Sequence, residues 1–143
     1  MMDEKRINIL KDSSILFILG AEAVALNEKV YVKQSVWERM TAYGKEALYI
    51  HELTHIIQQN KKGVVRWLLK YIMNKEYRLQ QEVEAYANEF EFRVEHGEAE
   101  TKLMYAFSEL LSSKLYLNMV TQEKASLLLR QRVEKIRSGD ING

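Results

Sequence analysis

The sequence predicts an α+β fold that is mostly helical, with a small sheet near its N-terminus. Three observations lead there. Val24 to Leu26 and Lys29 to Lys33 are short runs of strand-forming residues, separated by Asn27-Glu28, a pair suited to a tight turn. From residue 44 onward, apolar residues recur at the three- and four-residue spacing of helices. The 143 residues include no proline, so no helix is interrupted by one. At this length the chain is expected to form one domain, residues 1–143, able to bury a substantial core.

The elements follow in order. Residues 1–12 read as a short polar helix or a mobile end. Ile15 to Leu19 is an apolar run whose length favours a buried strand over a helical turn. Residues 24–33 form the hairpin, and residues 29–33 are the candidate edge for holding an extended substrate by backbone hydrogen bonds. Ser35 is expected to cap a short helix from Val36 to Tyr43, with Glu38 completing a capping box. Gly44 opens the next helix, which runs through Asn60. Lys61 and Lys62 suit its C-terminal dipole, and Gly63 stops it. Its apolar residues Ala47, Leu48, Ile50, Leu53, Ile56 and Ile57 cover nearly the whole circumference, which predicts a central, buried helix.

Val64 to Met73 is amphipathic. Trp67 and Tyr71 are expected in the core between the two helices that carry the site, with Arg66 and Lys70 in solvent. Contact of this stretch with a membrane surface is the lesser expectation. Residues 76–95 form a helix with the stripe Leu79, Val83, Tyr86, Phe90 and Val94. Residues 99–117 follow with Leu103, Ala106, Phe107, Leu110, Leu111 and Leu115. Residues 122–137 close the chain with Leu127, Leu128, Leu129, Val133 and Ile136, capped by Thr121. Arg130, Arg132, Lys135 and Arg137 make that terminus basic, and a solvated face is the expected reason.

The chemistry lies in His51-Glu52-Leu53-Thr54-His55, an H-E-x-x-H motif that holds two of only three histidines. Successive helical residues turn by about 100°, so His51 and His55 lie on one face and can offer two imidazole nitrogens to one ion. Glu52 stands close enough to take a proton from metal-bound water without ligating. Catalytic zinc usually has three protein ligands and a water, so one more ligand is required. Gln58 and Lys61 occupy the positions where a metzincin has its glycine and third histidine, which excludes that class. His96 precedes Gly97 at a helix end and suits a dipole partner better than a ligand. Glu82 lies on the flank of its helix's apolar stripe and Glu84 is rotated further away. Periodicity leans towards Glu82 and leaves both open.

The run His51-Glu-Leu-Thr-His55-Ile-Ile-Gln-Gln, followed by Glu82-Val-Glu-Ala-Tyr-Ala, resembles the gluzincin-type zinc peptidases. It looks closest to small metallopeptidase domains of bacteria and phages. In those families the third ligand is the glutamate of a Glu-x-x-Ala helix, often followed by aspartate. The resemblance therefore implies Glu82 as ligand. Tyr86 stands at the aspartate position, so Glu84, Glu89 or a backbone carbonyl would have to orient the histidines. Gly20 to Val32 looks like the hairpin that precedes the motif helix in such domains. The resemblance runs from Gly20 to about Glu91, with gaps, and implies a minimal zincin-like domain.

The expected function is zinc-dependent hydrolysis of a peptide or protein substrate. Glu52 is the general base and then the proton donor. Tyr86, Tyr105, Tyr116 and Arg93 are candidate oxyanion donors. The alternative is a catalytically inactive zincin-like domain that binds a protein. A helical module whose histidines bind nothing is a further one. Lysine and arginine total 21 against 20 acids, and a net charge of +1 gives no case for nucleic acid. Without cysteine there can be no disulfide, thiolate–zinc site or cysteine nucleophile. The five-residue run at Ile15 is too short for a signal-peptide core or a membrane span, so a cytoplasmic protein is expected.

Overall fold

A computed structural model describes residues 2–11, 22–113 and 119–140. The fold is α+β, largely helical with one three-stranded sheet at the N-terminal end. The chain divides into two compact units, Met1–Leu69 and Lys70–Gly143. The expected strand at Ile15 to Leu19, and Leu115 and Tyr116, lie outside the described residues.

The first unit opens with a 3-10 turn at Glu4–Arg6, capped by Asp3, and then strand β1 (Ile7–Leu10). The short polar helix expected over residues 1–12 is confined to this 3-10 turn, and Ile7–Leu10 pairs in the sheet instead. Strands β2 (Ala23–Leu26) and β3 (Lys29–Lys33) form the hairpin. Its turn places Asn27 at φ 48° and Glu28 at φ 70°. Two consecutive positive φ values are what a two-residue hairpin needs to match strand twist. Asparagine tolerates that region, while glutamate is held there at a cost.

The strand order is β1-β3-β2. β3 pairs in parallel with β1, Ile7 opposite Val30, and antiparallel with β2, Ala23 opposite Val32. Residues 29–33 are therefore the centre of the sheet, and the expectation of a substrate edge there is corrected. Both sides of the strand are occupied by neighbours. Val30 and Val32 are fully buried and form a core with Ala25 and Ile56, which explains the central position.

Helix α1 spans Gln34–Arg39 and is shorter than expected. Lys33 is its N-cap, without a side-chain bond, and Ser35 lies inside the helix. Gln34 takes up Glu38 instead, donating to its carboxylate at 2.7 Å, so the capping box does not form. Helix α2 spans Ala42–Lys62. Thr41 opens it by accepting from the Gly44 amide at 3.0 Å, so Gly44 is within the first turn and not the opener. Gly63 closes it at φ 90°, a conformation that side chains rarely adopt. Helix α3 follows at once, Val64–Met73.

In the second unit, α4 (Lys75–Glu95), α5 (Glu100–Leu111) and α6 (Gln122–Ser138) form a three-helix core. Asn74 and Thr121 cap α4 and α6 by accepting from the amides of Tyr77 and Lys124. Leu79, Val83, Phe90, Phe107, Leu111 and Leu129 fill the centre. Ala106 and Leu110 of the expected stripe are exposed, and Ser108 is buried. The basic face of α6 is partly neutralised. Arg132 pairs with Glu84 at 3.2 Å, and Arg137 pairs with Glu91 at 2.8 Å and Glu100 at 2.7 Å. Among the described residues, no helix is long and apolar enough to cross a membrane.

Candidate metal centre

Helix α2 is buried, but not on the apolar surface its sequence suggests. Ala47, Tyr49 and Ile56 are its buried apolar residues, beside six polar ones: His51, Glu52, Thr54, His55, Gln58 and Gln59. Ile57 is 46% exposed. Buried polar groups are costly unless partnered, and several partners are on view. Gln59 donates to the Ala25 carbonyl at 2.9 Å and accepts from the Asn27 amide at 3.0 Å. It ties the helix to β2 and to the hairpin turn. Thr54 bonds back to the Ile50 carbonyl at 2.9 Å.

The two motif histidines sit one turn apart with ring centroids 5.1 Å from each other. Nδ1 of His55 is 2.9 Å from Oε1 of Gln58. With the Gln58 amide oxygen as acceptor, Nδ1 would carry the proton and Nε2 would be the nitrogen left for a metal. The His55 ring also lies against Trp67, at 5.6 Å between centroids. Gln58 thus orients the His55 ring. The sequence suggests a carboxylate or a backbone carbonyl for this role, and the glutamine at i+3 of the same helix is not among those candidates.

Glu82 is 2% exposed on α4. The Tyr71 hydroxyl donates to its Oε1 at 2.5 Å. Arg78 donates to the carbonyls of Tyr71 and Ile72, at 2.9 and 3.1 Å, and so secures the end of α3 that carries the tyrosine. Tyr71 was expected as a core residue. It is half-buried, and its contact with Glu82 has no signal in the local sequence.

His51, His55 and Glu82, all buried, bring one ligand atom each within 4.8 Å of one another. They form a cluster that could hold a metal ion. Two imidazole nitrogens and a carboxylate oxygen are a donor set that suits zinc. The cluster contains Glu82 and does not include Glu84. Glu84 is engaged by Arg132.

The remaining candidates have other surroundings. Tyr86 is buried with its ring 4.9 Å from that of Phe107. Glu89 and Glu98 both pair with Arg93 at 3.1 Å. Burial works against the Arg93 charge, but the two carboxylates outweigh it and hold its pKa above the ordinary value. Tyr105 is 63% exposed. His96 caps its own helix, with Nδ1 2.7 Å from the Phe92 carbonyl, as its place before Gly97 implies.

Residues 13–63 match the family model of the eCIS core domain. That family, named for extracellular contractile injection systems, is associated with zincin-like, metallopeptidase-like domains. The match covers about a third of the chain. It takes in the hairpin and the H-E-x-x-H helix, and it ends at Gly63, before Glu82. No curated protein and no solved structure matches the chain.

Proposed function

We propose that the chain is a zinc-dependent peptidase. The observation that carries this reading is the buried cluster of His51, His55 and Glu82 on helices that also bring a buried Glu52. Zinc held there would act as a Lewis acid towards water and the scissile carbonyl. Glu52 would take the proton of the attacking water and return it to the leaving amine. Gln58 keeps the His55 proton on Nδ1, and Tyr71 steadies one Glu82 oxygen by donating to it. Three protein ligands leave a fourth position for water, the pattern of catalytic rather than structural zinc. With β3 central, β2 becomes the strand suited to receiving an extended substrate. Among the described residues it ends the sheet; its Ala25 carbonyl is already taken by Gln59 of the motif helix, so the rest of the strand would have to supply the bonds. The eCIS core match supports a setting connected with extracellular contractile injection systems.

The test combines metal content with cleavage. Wild type purified without chelators should hold about one zinc per chain. Glu82→Ala should lose it and Glu84→Ala should keep it. Glu52→Gln should keep the zinc and lose cleavage of an unbiased peptide library. Zinc without cleavage in the wild type would favour an inactive zincin-like domain that binds a protein. A wild type that takes up no zinc even from excess would end both readings.

A further inference from the structure

Helix α3 turns its apolar face to solvent. Val65, Leu68, Leu69, Ile72 and Met73 stand at i, i+3, i+4, i+7 and i+8 and form one stripe. They are exposed at 70%, 37%, 57%, 57% and 82%. Trp67, on the other side, is 4% exposed. A helix with one apolar stripe normally turns that stripe inward. A contiguous exposed one marks an interaction surface.

The charges from Lys61 to Lys75 have one sign, and the exposed Glu76 follows them. Between Gln58 and Lys75 there is no acidic residue, while Lys61, Lys62, Arg66, Lys70 and Lys75 are all exposed. The whole chain carries only +1, so this segment is far more basic than the rest. Lys61 and Lys62 end α2, and Lys75 begins α4. Arg66 and Lys70 lie on the flank of the stripe, about 90° to 130° round the helix from its centre. Lys70 rests its ammonium 4.7 Å above the Tyr77 ring, which keeps it beside the stripe.

We propose that α3 docks the protein on an anionic lipid bilayer. The five aliphatic side chains enter the headgroup–acyl boundary while the surrounding cations meet lipid phosphates and carboxylates. The helix is about 15 Å long, too short to span the hydrocarbon core, so it lies in the plane of the interface. A second copy of the chain would set the same cations against each other. An anionic bilayer supplies what both features require, apolar depth beneath negative charge.

The full chain would be sedimented with vesicles of phosphatidylcholine alone, and with vesicles containing about a third phosphatidylserine. Binding to the anionic vesicles only, weakened by salt, is expected. Leu69→Glu with Ile72→Glu, and separately Arg66→Glu with Lys70→Glu, should each lower partitioning by about tenfold or more. Leu127→Glu, at a leucine 55% exposed on α6, should leave it unchanged. Circular dichroism checks that each variant is folded. Failure of folded wild type to bind anionic vesicles would overturn the proposal, as would binding that survives both double variants. A dimer, or a complex with an acidic soluble protein, that depends on Leu69 and forms without vesicle binding would overturn it equally.

Discussion

Gln59→Ala tests how the motif helix is anchored to the sheet. The side chain is 1% exposed and makes two hydrogen bonds to backbone, one to the Ala25 carbonyl and one from the Asn27 amide. Ala25 is buried, so its carbonyl loses a partner in a place that water reaches poorly, at a cost of about 1–3 kcal/mol. Asn27 is exposed and water can replace the lost acceptor, so that bond is worth about 0.5–1 kcal/mol. Removing a buried methylene adds about 0.8 kcal/mol. The sum is about 3 kcal/mol. With an m-value of about 2 kcal/mol/M in urea, the midpoint should fall by about 1.5 M. The assay is urea unfolding followed by circular dichroism, with hydrogen exchange read at the Asn27 amide. That amide should lose protection selectively while the α6 amides keep theirs. A fall below about 0.5 kcal/mol, the scale of an ordinary surface substitution, would refute the anchoring argument.

Three further outcomes are expected. Tyr71→Phe removes the donor to Glu82 and Gln58→Ala the acceptor from His55, so each should weaken zinc binding by about 10- to 100-fold in chelator competition; unchanged affinity would remove both residues from the centre. Glu28→Gly relieves a glutamate at φ 70° and gives up an exposed ion pair with Arg6, for a net gain of about 0.5 kcal/mol in thermal unfolding; a net loss would show that the turn is not strained. Leu129→Ala, fully buried in the three-helix core, should cost about 2–5 kcal/mol, whereas Leu127→Ala, 55% exposed two residues earlier, should stay within about 0.5 kcal/mol.

The helices were readable because their signals are local. Thr121 before an apolar stripe, two lysines and a glycine after the motif, and an unbroken helical period over residues 76–95 each act within a turn or two. β1 was not readable. Ile7-Asn8-Ile9-Leu10 is short and follows a charged stretch, and its partner is a strand beyond an intervening hairpin arm. That pairing gives β3 its central position, so missing it also misplaced the sheet edge. Ser35 failed as a cap because the chain turns helical one residue before it. At the centre, the H-E-x-x-H spacing set out His51, Glu52 and His55 in full. Glu82 needed the family resemblance to separate it from Glu84. Gln58 and Tyr71 were missed for different reasons. The first is in register on the same helix and was overlooked in favour of carboxylates and a backbone carbonyl. The second depends on how α3 and α4 fold against each other.

The polar face of α2 sets the interests of the fold against those of the site. Replacing the buried polar residues together with their partners, His55 with Gln58 for instance, by apolar residues of similar volume would remove a desolvation cost and leave Val30, Val32 and Ile56 packed as they are. Selection for thermal stability alone would therefore tend to erase the motif first, turning this helix into an ordinary apolar core element. A stabilised variant library, sequenced without any screen for metal, would show where the scaffold resists its own cluster of histidines and glutamate.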